Sequence, residues 1–198
     1  MRDAGADSRT ERNRLILASR SPQRRAILEQ LGIPFDLYVP DADELTSGSP
    51  DEVVVENALR KVRAVPTDEE VCRLVLGVDT VVALEGRLYG KPTDADEARS
   101  HLVQLSGREH LVWSALALID GGRETVGTAR TAVRFRQLDQ ATIGWYLATG
   151  EWRERAGAYA IQGKGAALVE SIDGDYWNVV GLPVALLLEL APQLLPLA

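Results

Sequence analysis

The sequence predicts a mixed α/β (α+β) domain built around a mixed β-sheet with flanking helices. Apolar, strand-like runs alternate along the chain with segments of helical periodicity. Two long β-branched runs are joined through Asp120-Gly121-Gly122, which indicates a hairpin within the sheet. No internal repeat or low-complexity linker divides the 198 residues, of which 45% are hydrophobic and 26% charged. This is enough chain for one domain with a substantial core.

The first element predicted is a buried strand at Leu15 to Ala18, a short apolar run. It leads into a helix from Pro22 to Leu31, which Gly32 ends. Ser21 has the character of an N-cap, and Pro22 suits the first helical position. The order is therefore strand, short turn, helix.

The first turn of this helix carries two cations where acidic residues are normally favoured. Arg24 and Arg25 lie beside free backbone N–H groups and the positive end of the helix dipole. A bound phosphate would explain them, since it could accept from those N–H groups, from the Ser19 and Ser21 hydroxyls and from a guanidinium. The alternative is an ordinary capped helix with solvated arginines.

A second helix is predicted to begin at Ser49, with Pro50 at its first position and Glu52 completing a capping box. Its apolar stripe has helical spacing, and Lys61 lies off that stripe; the stripe consists of Val55, Ala58, Leu59 and Val62.

The remaining elements follow from similar patterns. A two-sided apolar run predicts a fully buried strand at Leu74 to Ala83, followed by a turn at Glu85-Gly86. Further helices are expected after caps at Thr93 and Asp96, ending at Gly107; after Asp139, ending at Gly150; and after Pro183, with Val184 to Leu195 facing the core. Further strands are expected at His110 to Ile119, Thr125 to Arg136 and Val169 to Ile172.

Asp79 is the most informative single residue, because it is the only charge in an otherwise apolar strand. A carboxylate there must be paired, metal-bound or catalytic to offset its desolvation. Such a carboxylate can bind Mg²⁺ when the substrate brings phosphates, and it can orient or deprotonate an attacking water. Asp41, Asp43 and Glu44 offer further carboxylates, although an acidic loop is often only solvated.

Two lysines and one glutamine are candidates for nucleotide contacts. Lys91 lies on the Gly90-Lys91-Pro92 turn, where the proline restricts the backbone before it. Lys91 and Lys61 could each bind phosphate, but each signal is weak alone. Gln162 lies in a glycine-rich segment without P-loop spacing, and its amide could contact a base edge.

Composition disfavours several other functions. The net charge of −7 argues against nonspecific nucleic-acid binding. Cys72 is the only cysteine, which excludes an intramolecular disulfide and fits the cytoplasm. Residues 1–14 lack the apolar core of a signal peptide and are expected to form a disordered leader, ahead of a single catalytic domain at 15–198. The apolar C-terminal run is too short to cross a membrane. Without a Gly-x-Ser-x-Gly elbow, His101 and His110 are interpreted as surface or hydrogen-bonded residues.

Taken together, six ordered motifs resemble the Maf family of nucleoside triphosphate pyrophosphatases, from about Leu15 onward. The motifs are 17–25 (LASRSPQRR), 77–82 (GVDTVV), 90–92 (GKP), 105–108 (LSGR), 156–163 (AGAYAIQG) and 179–183 (VVGLP). The resemblance implies two lobes around an elongated sheet, as in Maf and ITPase-like folds, with a cleft between them. It also implies a homodimer and hydrolysis of a nucleoside triphosphate to monophosphate and pyrophosphate, dependent on Mg²⁺ or Mn²⁺.

The resemblance assigns roles to particular residues. Asp79 falls on the family's catalytic carboxylate, and Asp43 or Glu44 falls on an acidic position tied to metal. Phosphate contacts are implied for Ser19, Arg24, Lys61 and Lys91, and Ser21 joins them as the helix cap. The positions of Gln23, Thr80 and Gln162 correspond to Arg, Thr and Gln in the branch acting on dTTP and UTP. Gln23 is the departure from that pattern.

Two functional hypotheses therefore stand at the level of sequence. The first is a pyrophosphatase leaning towards pyrimidine nucleotides. The second is a nucleotide-binding regulator of cell division, since the family has been associated with septum formation, in which hydrolysis would be incidental. Loss of turnover in an Asp79→Asn variant would distinguish the enzyme from the regulator.

Overall fold

The computed structural model describes residues 14–66 and 73–195. Of the predicted leader only Arg14 falls within them, and Cys72 lies outside. The strands are β1 (Leu15–Ala18), β2 (Phe35–Tyr38), β3 (Val75–Leu84), β4 (Arg87–Tyr89), β5 (Glu109–Asp120), β6 (Arg123–Phe135) and β7 (Val169–Asp173). The α-helices are α1 (Pro22–Gln30), α2 (Pro50–Arg63), α3 (Ala95–Leu105), α4 (Gln140–Ala148), α5 (Tyr176–Val180) and α6 (Val184–Leu190).

The seven strands form one mixed sheet in the order β2-β1-β3-β5-β6-β7, with β4 paired to β3. β1 runs parallel to β2 and β3, whereas β4 and β5 run antiparallel to β3. The predicted hairpin is confirmed, with Gly121 and Gly122 both at positive φ in the turn between β5 and β6. The mixed α/β class is confirmed as well.

Three apolar clusters show how the helices cover the sheet. α2 packs on one face of the half of the sheet that contains β1, against Val75, Ala115 and Ala117. α1 and α6 cover the opposite face there, around Leu76 and Leu116. α3 and α4 enclose the second half, around Phe135 and Tyr146. The sheet therefore carries two lobes with separate cores, as the sequence suggested.

Several local predictions need correction. The Ser49 hydroxyl donates to the Glu52 carboxylate (2.6 Å) and makes no bond to the helix backbone, so the capping box does not form. The cap of α3 is Asp94, whose carboxylate accepts from the backbone N–H groups of Asp96 and Glu97. Thr93 instead donates to Glu97.

Two strands escaped the sequence analysis, β2 and β4. β4 has only three residues, and β2 has four with no fully buried member, so neither shows a clear apolar period. In the described residues, no helix has the length and apolar character needed to cross a bilayer.

Candidate active site

The strand pairing of β3 is interrupted along one edge, where the two lobes meet. β1 pairs with β3 at Val75, Leu76 and Gly77, and β4 pairs with the same strand from Val82 to Leu84. β5 occupies the other edge of β3 over nearly its whole length. Within the described sheet, residues 78–81 therefore have no strand partner on the first edge. Asp79 and Thr80 lie in this gap.

Asp79 is buried beside an equally buried lysine. Lys61 Nζ donates to Asp79 Oδ1 (2.6 Å) and to the Val78 carbonyl (3.2 Å), which the gap leaves without a strand partner. Glu44 Oε1 lies 2.9 Å from the same nitrogen. The three donors of the ammonium are thus all satisfied, which is what a buried charge requires.

The second oxygen of Asp79 is held by Asn57, a residue that the sequence analysis missed. Asn57 Nδ2 donates to Asp79 Oδ2 (3.1 Å) and to the Leu45 carbonyl (3.0 Å), while Asn57 Oδ1 accepts from the Leu45 N–H (2.7 Å). Asn57 therefore ties the acidic loop to Asp79 on β3. The sequence did offer a sign of this role, because Asn57 lies one helical turn before Lys61 and therefore on the same face of α2. The buried face of α2 includes both polar residues, rather than leaving Lys61 outside it.

A second network surrounds Arg24, on the other face of the sheet. Its guanidinium donates to Ser19 Oγ (3.2 Å), to Thr80 Oγ1 (3.1 Å) and to the Gly181 carbonyl (2.9 Å). Burial lowers the pKa of Arg24, and the nearby carboxylates of Asp79 and Glu44 oppose that shift. Arg24 thus places a positive charge, nearly removed from water, beside the gap. Arg25 is exposed and pairs with Glu29.

Ser21 and Gln23 shape the start of α1. The Ser21 side chain accepts from the Arg24 N–H, which confirms Ser21 as the N-cap, and donates to Gln23 Oε1 (3.1 Å). The Ser21 N–H donates to Ser19 Oγ (3.1 Å). These bonds hold both serine hydroxyls at the helix start, where an anion is favoured.

Lys91 is the third cation near Glu44, after Lys61 and Arg24, and it is exposed. Its ammonium pairs with Glu154 Oε2 at 3.1 Å, a second contact that the sequence did not reveal. Burial by itself would raise the pKa of Glu44, but Lys61, Lys91 and Arg24 outweigh it and hold that pKa below its usual value. The charges of these three cations therefore all act on the Glu44 carboxylate.

Two predicted site residues lie apart from these networks. The side chain of Asp43 is exposed, and its backbone carbonyl accepts from Arg60 (2.9 Å). Gln162 is exposed on a turn before a short 3₁₀ helix at Lys164–Leu168.

No group of three metal-ligating side chains gathers anywhere in residues 14–66 and 73–195. Glu44 and Asp79 nevertheless meet on the same ammonium group. Two carboxylates fit a cation such as Mg²⁺ when substrate phosphates supply further oxygens, since Mg²⁺ is rarely held by an all-protein cage.

Comparison with known proteins identifies the family of this chain. The family model described as "Maf-like protein" matches residues 14–194. The chain belongs to the Maf family. A "dTTP/UTP pyrophosphatase" of Symbiobacterium thermophilum is 50% identical over 172 residues, covering 86% of this chain and 88% of that relative. One of the same name from Thermococcus gammatolerans is 46% identical over 176 residues, covering 89% and 94%.

Among solved structures, the Staphylococcus aureus Ham1 protein aligns with a TM-score of 0.42 and 17% identity, over 62% of this chain and 72% of that one. The Maf match spans both lobes and the gap in β3 between them. The residues around Asp79 and Arg24 therefore lie within the part of the chain that the family shares.

Proposed function

We propose that this protein hydrolyses nucleoside triphosphates to the monophosphate and pyrophosphate, with a preference for dTTP and UTP. The main support is the meeting of two buried networks in the gap of β3, one centred on Asp79 and one on Arg24. The names and the high identity of the Maf relatives support the same reaction and favour an enzyme over a division regulator.

The triphosphate is held by the cations around the gap. Arg24 and Lys61 are buried and held by their hydrogen-bond partners, whereas Lys91 is exposed and pairs with the exposed Glu154 carboxylate. Ser19 and Ser21 add hydroxyl and backbone donors at the start of α1. Fixed donors of this kind stabilise charge that develops on phosphoryl oxygens with little reorganisation.

Asp79 activates the attacking water, and Lys61 determines when the Asp79 carboxylate is free to accept a proton. With no substrate present, Asp79 is paired with Lys61 and Asn57. A triphosphate offers Lys61 a stronger anionic partner, which frees Asp79 Oδ1 to accept a proton from water. The water oxygen bonds to the α-phosphorus as the bond from that phosphorus to the bridging oxygen breaks, and the leaving group is pyrophosphate.

Glu44 and Asp79 would hold the divalent cation, Mg²⁺ or Mn²⁺, together with the phosphates. Such a cation neutralises the charge that builds on the transferred and leaving oxygens. Of the two acidic candidates on the loop, Glu44 is the better supported. Both residues are exposed, but only the Glu44 carboxylate of the two reaches the Asp79 cluster, at 2.9 Å from Lys61 Nζ.

Base preference is assigned to Gln23, Thr80 and Gln162. Thr80 has the strongest geometric support, since it bonds to Arg24 and is partly exposed in the gap.

The protein is further proposed to act in the cytoplasm and to form a homodimer. Analytical ultracentrifugation tests the dimer directly, because a species of one chain's mass at micromolar concentration contradicts it.

A nucleotide panel tests the reaction and the preference together. Purified protein with Mg²⁺ or Mn²⁺ is assayed for pyrophosphate release from dTTP, UTP, CTP, GTP and ATP. We expect the highest kcat/KM with dTTP and UTP. Equal or faster turnover of the purine nucleotides contradicts the preference, and absence of pyrophosphate with every nucleotide contradicts the enzyme.

A further inference from the structure

Ser114 lies behind Thr80 and is completely buried. It sits on β5 directly opposite Thr80 on β3, and the two hydroxyl oxygens are 2.9 Å apart. Thr80 is the sole hydrogen-bond partner of the Ser114 side chain among residues 14–66 and 73–195. Ser114 has no role in the reaction as described so far.

The hydrogen bonds of this pair determine which hydroxyl donates. Each hydroxyl has one proton to donate and two lone pairs to accept with. If Thr80 donated to Ser114, the Ser114 proton would be left in the core without an acceptor, which is costly. Ser114 therefore donates to Thr80, and the proton it carries is satisfied.

The consequence falls on Thr80. One lone pair of Thr80 Oγ1 accepts from Ser114, and the other accepts from Arg24, which can only donate. Both lone pairs are then occupied. The only hydrogen-bonding capacity left to Thr80 is its own proton, and Thr80 lies partly exposed in the gap of β3.

We propose that Ser114 is a positioning residue that makes Thr80 an obligate hydrogen-bond donor, so that the site selects a base with a carbonyl oxygen over one with an amino group. This inference rests on the proposed function and on Thr80 facing the base. Uracil and cytosine provide the test, because they carry a carbonyl and an amino group respectively at the same ring carbon.

The test is the ratio of kcat/KM for UTP to that for CTP. In Ser114→Ala the Ser114 proton is gone, so the Thr80 hydroxyl can rotate its own proton towards residue 114 and turn a lone pair to the cytosine amino group. We expect the ratio to fall about tenfold, the worth of one hydrogen bond, mainly because CTP improves. Thr80→Val should lose the preference through poorer use of UTP, and Thr80→Ser should retain it.

Ser106→Ala is the matched control. Ser106 is a partly buried serine whose hydroxyl bonds to the backbone of Leu138, in the second lobe. This variant loses hydrogen bonds of the folded chain, yet it should leave the UTP to CTP ratio unchanged. A loss of stability alone therefore cannot imitate the expected result.

An unchanged ratio in an active Ser114→Ala enzyme overturns the inference, as does an equal loss of UTP and CTP turnover in Thr80→Val, which would place a phosphate oxygen against Thr80. If Ser114→Ala does not fold, Ser114→Cys decides: its weaker thiol donor should give an intermediate ratio, and the wild-type ratio contradicts the proposal. Failure of the proposed function is a separate result, the absence of pyrophosphate with the wild-type protein.

Discussion

The carboxylate of Asp79 is held at both oxygens, by Lys61 on one and by Asn57 on the other. We expect Asp79→Asn to lower kcat by about 10²- to 10⁴-fold, the usual contribution of a general base. Nucleotide affinity, measured by calorimetry, should persist, because the phosphate donors remain.

Circular dichroism should show that this variant stays folded, because Glu44 and the Val78 carbonyl still accept from the Lys61 ammonium. On the acidic loop, Glu44→Gln should weaken the response to Mg²⁺, whereas Asp43→Asn, whose carboxylate lies outside the Asp79 cluster, should match the wild type. The reverse order would move the metal ligand to Asp43.

Adjacent arginines on α1 give a second test at this scale. Arg24→Lys loses the planar guanidinium that reaches Ser19, Thr80 and Gly181, and a lysine cannot replace that geometry. We expect KM for the nucleotide to rise about tenfold or more, as for the loss of charge-assisted hydrogen bonds. Arg25→Lys keeps an exposed charge near Glu29 and should change KM little. Equal effects of the two substitutions contradict a special role for Arg24.

The charge of Asp79 within an apolar strand and the misplaced cations of α1 identified the centre of the candidate site from sequence alone. Asn57, Ser114 and Glu154 did not emerge, because each gains its partner only through tertiary packing. An asparagine in a helix and a serine in a strand are ordinary residues until the chain folds.

The packing of α2 on β3 sets the position of Lys61. A Cβ built on Gly77 would lie 2.6 Å from the Ala58 carbonyl oxygen, 2.7 Å from Val62 Cγ1 and 3.2 Å from Lys61 Cβ. Gly77→Ala must therefore push α2 away from the strand. We expect the free energy of unfolding to fall by about 1–3 kcal/mol, as in overpacked cores, with a loss of turnover. Denaturant unfolding and the pyrophosphate assay measure these effects.

Gly144→Ala, in the middle of α4, is the control for this substitution. Apart from its chain neighbours and the backbone of its own helix, no atom of the described residues lies within 4 Å of a Cβ built there. We expect it to raise the free energy of unfolding by about 0.5–1 kcal/mol, the helix preference of alanine over glycine, with turnover unchanged. A Gly77→Ala protein as stable and active as the wild type contradicts the tight contact between α2 and β3.

At the level of elements, strands with a clear apolar run were predictable and strands without one were not. β1 and β3 show clear apolar runs, but β4 has three residues and is defined by its pairing. The gap in β3 was therefore beyond the sequence, since it depends on where β1 ends and β4 begins.

The stability of the whole molecule should depend on pH through His110. This residue is buried between Phe135 and Tyr159, bonds to the Tyr159 hydroxyl (3.0 Å) and has its pKa lowered by burial to about 4. Its hydrogen bond agrees with the sequence interpretation. In the unfolded chain the pKa is near 6.5, so the unfolded state binds more protons between the two values and stability falls as pH falls from about 6.5 to about 4.

From these two values, we expect His110 to account for up to about 3 kcal/mol of that loss by pH 4. His110→Gln keeps a polar partner for Tyr159 without titrating, so its free energy of unfolding should decline less steeply over this range. Urea unfolding at several pH values measures the two slopes. Parallel slopes contradict a neutral, buried His110.

The fate of the attacking oxygen tests the whole account most directly. The protein is incubated with UTP and a divalent cation in H₂¹⁸O, and the products are separated and weighed by mass spectrometry. Attack at the α-phosphorus by water activated at Asp79 predicts unlabelled pyrophosphate and one ¹⁸O in UMP. Label in pyrophosphate, or release of orthophosphate with UDP, contradicts it.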